Sequence, residues 1–171
     1  MCSSDLFALV VRDADDVVAD DAWWIEGIGW LELVPDLDIV GGRVLEADGS
    51  VRTVGDFLDG DGHLTTPDRG RAATDPGYLA MALKPRCCAA VHSGALVVRG
   101  AMLADAATAL ARQPVPHVQL GAWLAAIAAR RARRTLCTPF VTITPAAKTS
   151  HLRSEEHTSE LQSPCNLVCR L

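Results

Sequence analysis

The sequence predicts an α/β protein. Three observations carry that prediction: an uninterrupted apolar run at Phe7–Val11, a 3.6-residue apolar period from Trp24 to Val34, and a second alternation of strand-like and helix-like segments between Ala89 and Val141.

The elements follow in order. Phe7-Ala-Leu-Val-Val11 has the pattern of a buried parallel strand. It stops at Arg12-Asp-Ala-Asp-Asp16, which is too acidic to be buried without partners. Asp20 and Asp21 suit an N-cap and first turn. Trp24, Ile28, Leu31 and Val34 then fall on one stripe of a helix that Pro35 closes. Ile39–Leu45 reads as a strand, and Asp48-Gly49 turns it back through Val51–Val54. Gly55–Gly77, rich in Gly and Asp and holding two prolines, is a long loop of the kind that is either functional or disordered. A strand at Ala89–Val91 continues through Gly94–Val98. Ala101–Ala111 is a helix ended by Gln113-Pro114, and Val118–Arg131 is a second helix with Leu120, Trp123, Leu124 and Ile127 on one face. Leu136–Val141 is the last strand, and there is no internal repeat.

The two ends read differently from the middle. Arg153-Ser-Glu-Glu-His-Thr-Ser-Glu-Leu-Gln-Ser163 is similar to the translation of a common short-read sequencing adapter, and Leu167–Leu171 continues it after a variable index. Met1–Leu6 matches the same oligonucleotide in the opposite orientation. Residues 1–6 and 153–171 are therefore expected to be adapter-derived, the latter as a disordered tail, with 7–152 the natural material.

Within Phe7–Leu152 there are 14 basic and 17 acidic residues, which excludes a polybasic nucleic-acid-binding protein. Three cysteines remain there, Cys87, Cys88 and Cys137; an odd count with a vicinal pair argues for a reducing, cytoplasmic setting rather than a disulfide framework. No apolar run approaches the roughly 18 residues of a membrane-spanning helix. The length suits one domain.

Asp13-Ala-Asp15, directly after the first strand, is the motif with most chemistry in it. Ligands of open α/β sheets sit beyond the carboxyl ends of strands, and two carboxylates one residue apart suit a hard divalent cation on phosphate oxygens. Alone, such a pair is more often a solvated acidic turn.

The company it keeps resembles family 2 glycosyltransferases of the GT-A fold. Trp23-Trp-Ile-Glu-Gly27 is similar to the family's helix opening, Val40–Gly55 to its strand and hairpin, His92–Met102 to its acceptor-side segment, and Thr135–Phe140 to a late strand. The resemblance spans nearly all of Phe7–Leu152. It implies an incomplete GT-A-like, Rossmann-like α/β/α sandwich without the opening strands that bind the nucleoside. It also implies transfer of a sugar, with inversion, from a nucleotide-sugar donor to a carbohydrate or lipid-linked acceptor. Asp13 and Asp15 would hold Mg2+ or Mn2+ on the diphosphate, and His92, Ser93 and Gly94 would line the acceptor side. The enzyme would be cytoplasmic, with a place at the inner face of the membrane left open. This polypeptide alone is expected to be inactive and, with a sheet edge bared, poorly soluble.

There are departures. The family places an acidic general base near His117-Val-Gln-Leu120; His117 can accept a proton, Gln119 cannot, and a surface or capping histidine explains His117 more simply. The basic run Arg130–Arg134 suits the carboxyl end of a helix. Asp13-Ala-Asp15-Asp16-Val17 also resembles the motif of haloacid-dehalogenase-type phosphatases, with Asp13 as nucleophile and Asp15 as acid/base. That reading lacks a well-placed lysine beyond Lys84 and Lys148 and a late acidic pair. A third reading is a translated contig fragment with no function of its own.

Overall fold

The computed structural model describes residues 8–12, 16–18, 23–112 and 114–145; side chains are described from Trp23 onward. Asp13, Asp15, the Asp20–Asp21 cap and both adapter-like ends lie outside the described residues.

The architecture is mixed α/β. A sheet runs in the order β1 (Ala8–Arg12), β8 (Ala95–Arg99), β3 (Leu37–Leu45), β9 (Arg134–Pro145) and β2 (Asp16–Val18). Two short strands join its sides, β4 (Val51–Thr53) on β3 and β7 (Arg86–Cys88) on β9. Among the described pairs only β3–β9 is parallel. β1 pairs antiparallel with β8, against the expectation of a parallel strand. An unbroken apolar run reports burial on both faces; it carries no information on the direction of the neighbour.

The sheet separates two cores by strand alternation. Ala95, Val97, Val40, Leu136 and Ile143 face α1 (Trp23–Leu33). Leu96, Val98, Ile39 and Cys137 face α2 (Gly100–Arg112) and α3 (Leu120–Arg130). No helix among the described residues is long and apolar enough to cross a membrane.

The fully buried residues of α1 are Trp23, Gly27 and Leu31; of the expected stripe Leu31 is buried and Ile28 and Val34 pack partly against the core, and only Trp24 gives way to Trp23. Gly27 decides the register: a Cβ there would meet Val97 Cγ2 at 2.5 Å, so the helix lies close to the sheet only on that side. Trp24 is left exposed. Glu26 ties the helix down, accepting from Trp30 Nε1 at 2.6 Å and from Thr138 Oγ1 at 3.2 Å.

The rest of the chain corrects one other expectation and sharpens two. The strand expected at Ala89–Val91 lies earlier, at Arg86–Cys88, because it pairs with Thr135–Cys137 rather than running on into β8. The Gly55–Gly77 loop is built: Phe57–Leu58 (β5) and Leu64–Thr65 (β6) form a hairpin. Arg86 secures it from the sheet, pairing with buried Asp68 at 2.6 Å, donating to the Val54 carbonyl at 3.1 Å and stacking on Phe57 at 4.8 Å. The run Arg130–Arg134 ends α3 as expected, with Arg130 in its last turn, and it also forms specific clasps: Arg131 meets Asp105, Arg133 meets buried Asp38 at 2.9 Å, and Arg134 meets Asp36 at 2.5 Å.

Candidate functional site

β1 and β8 pair with Arg12 opposite Ala95. The chain therefore leaves β1 toward Asp13 at the same end of the sheet where it enters β8 from Gly94. The turn before β8 is fixed from two directions. Gly94 N–H donates to His92 Nδ1 at 3.0 Å. With Nδ1 accepting, the neutral imidazole carries its proton on Nε2. Buried Ser93 accepts the Gly121 N–H at 3.0 Å and so holds the first turn of α3 against this turn. Gly121 makes that approach possible, since a Cβ on it would sit 2.0 Å from the Val91 carbonyl oxygen.

Beside the turn lies a cleft of about 560 Å³. One wall is the exposed side of α3, through Ala122, Trp123, Ala126 and Ala129. The other is β7 and the segment after it, Cys87–His92. Leu58 and Leu64 of the β5–β6 hairpin and the Pro114–Gln119 connector form its rim, and Arg133, Arg134 and Thr135 close one end.

Of the sequence-predicted acceptor residues, His92 lines this cleft, while Ser93 and Gly94 are buried behind it as the turn's clip. Gln119 lines the cleft and is half-buried. His117 is exposed on the 3-10 turn His117–Gln119, outside the lining. Asp13 and Asp15 fall outside the described residues.

Two groups were not foreseen. Asp56 is the one carboxylate among the described lining residues. Its Oδ1 accepts from Thr53 Oγ1 at 2.9 Å and Thr66 Oγ1 at 2.7 Å, and its backbone bridges to Ala90. That bridge brings a loop aspartate to the cleft, and nothing in the local sequence signals it. Asp59, Asp61 and His63 also cluster, with potential ligand atoms within 4.8 Å of one another. All three are exposed, and Asp59 Oδ1 already accepts the Asp61 and His63 N–H groups, as an Asx turn does.

The cysteines differ sharply. Burial, then the Asp56 charge, pushes the Cys88 thiol up to about 12, and burial raises that of Cys137 well above its ordinary value. Cys87 is exposed on the cleft wall, with Arg134 Nη1 at 3.8 Å from its sulfur.

Neither the protein-family models nor the curated protein sequences compared with the chain match it.

Proposed function

We propose that this chain carries the metal- and acceptor-binding part of a GT-A-type, family 2 glycosyltransferase, read from a gene whose ends here are adapter-derived. The observation that supports it is the Arg12–Ala95 register, which brings the strand end leading to Asp13 and the turn His92–Gly94 to one end of the sheet. β1 has one neighbour, β8, among the described strands.

In this reading the acceptor lies in the cleft beside His92. His92 lines the cleft on the acceptor side. Asp56 takes the base role more readily than His117, because it lines the cleft and the threonine hydroxyls engage only its Oδ1. The donor set of Asp13 and Asp15 fits a hard divalent cation, Mg2+ or Mn2+, which when bound offsets charge on the departing nucleoside diphosphate.

The test begins with source DNA read outward from the codons for residues 7–152. Continued open frame without adapter codons supports the reading, and genomic codons for Met1–Leu6 and Arg153–Leu171 reject the adapter assignment. The extended protein should turn over a nucleotide-sugar only with Mg2+ or Mn2+, and Asp13→Asn or Asp15→Asn should abolish this. Hydrolysis of a generic phosphate ester instead would point to the phosphatase.

A further inference from the structure

The cleft is oddly built for a sugar chain. Its α3 wall is Trp123 and the methyl groups of Ala122, Ala126 and Ala129 at one-turn spacing, and opposite them run Cys88, Ala89 and Ala90. Carbohydrate hydroxyls laid along such walls would lose water and find no partner. The rim adds Leu58, Leu64 and Val118, which are 46%, 36% and 80% exposed. Covering them removes apolar surface from water.

One end differs. Arg133, itself held by buried Asp38 and the Pro35 carbonyl, and Arg134 line it, and among the described lining residues the only carboxylate is Asp56, on the hairpin side. Arg134 gives one amino group to Asp36, an ion pair half exposed on both sides and so of small strength, and turns the other toward Cys87. A sulfur at 3.8 Å is a poor acceptor; an oxyanion at the same place would be a far better one.

We propose that the cleft binds the alkyl chain of an anionic, single-chain amphiphile. The chain lies along the alanine face of α3, and the acidic group sits at the Arg133–Arg134 end. The lining positions of α3, Ala122 to Ala129, span roughly 10 Å, and the Pro114–Gln119 connector extends the wall, enough for a medium alkyl chain. Naming this amphiphile as the acceptor rests on the transfer reading; the binding itself does not.

Trp123 supplies the readout, since it lines the cleft. The full chain is titrated with ω-bromododecanoate or the neutral ω-bromododecanol, and the bromine quenches nearby tryptophan. The expected result is saturable quenching that Trp123→Phe removes, with the carboxylate bound about tenfold more tightly than the alcohol. Arg134→Gln should erase that preference, and Ala126→Phe should weaken both ligands by about tenfold or more. Equal binding of acid and alcohol, quenching that survives Trp123→Phe, or no saturable quenching overturns the proposal; the last is the result if another stretch of chain or a second copy fills the groove. Arg134→Gln, at an exposed ion pair, decides the matter should Ala126→Phe not fold. No donor is present, so quenching without sugar turnover in the extended protein sinks the transfer reading alone, and turnover without quenching sinks this one alone.

Discussion

On one face of the sheet α1 lies flat, with Trp23 and Leu31 sealed against Val40, Val97 and Ile143 and Glu26 as its polar tie to the sheet. On the other, α2 and α3 cover only part of the strands, and a long loop covers the rest through arginine clasps and hydroxyl clips. Both faces have an apolar core; the second adds a loop that is held to the strands by directional bonds. The cleft opens between α3 and the Cys87–His92 segment, with the loop hairpin at its rim. The face that carries the loop is the one that carries the cleft.

Substitutions on the two faces should therefore fail differently. Arg86→Ala strands buried Asp68 without its main partner and should cost about 3–5 kcal/mol. Its mark is local as well as global: amide exchange across residues 56–77 should rise far more than in α1. Exchange rising equally in both would erase the contrast. Leu31→Ala, at a fully buried site, should cost about 2–5 kcal/mol with the loop's protection relative to the rest unchanged. Gly121→Ala forces the start of α3 off the Val91 carbonyl and should cost about 1–3 kcal/mol, with a shifted Trp123 emission; an unshifted spectrum would show that α3 does not fix the cleft.

A pH series sharpens the comparison without mutation. Cys88 and Cys137 have folded-state pKa values above the ordinary 9.0, so their contribution is whole below pH 9 and is lost as pH rises toward 12 and the unfolded thiols ionise. Denaturation midpoints should fall over that window, and Cys88→Ser with Cys137→Ala should flatten the fall. At neutral pH a thiol reagent should label Cys87 well before either of the other two of Phe7–Leu152. The smallest effect belongs to Trp24→Ala, which at 43% exposure should change stability by no more than about 0.5 kcal/mol.

Much of the fold was legible because it is local. The Asp48-Gly49 turn announces the β3–β4 hairpin, with Gly49 at φ 82°, and Pro114 marks the gap between α2 and α3. The errors share a different cause. Trp23 and Trp24 are chemically alike, and only the approach of Gly27 to Val97, some 70 residues distant, selects which is buried. Arg86 reads as a surface residue until Asp68 is brought under it, and Asp56 reads as loop until it bridges to Ala90. For the site, His92 was legible as a candidate lining residue, while Gln119 was noted only as unable to act as a base; Ser93 was read as lining and not as the clip on α3. Contacts that cross the chain leave no local pattern, and this cleft is made of them.

The parallel pairing of β3 with β9 carries one more consequence. Val40 sits beside Leu136, so the middle of the sheet joins segments almost a hundred residues apart. Closing so large a loop is entropically slow, and topologies of this kind fold late. On a ribosome adding about 5–20 residues each second, β3 would wait several seconds for its central partner. During that wait the α1 face has no Leu136 or Ile143 to rest on, which makes the nascent chain a natural client for a chaperone that holds apolar segments.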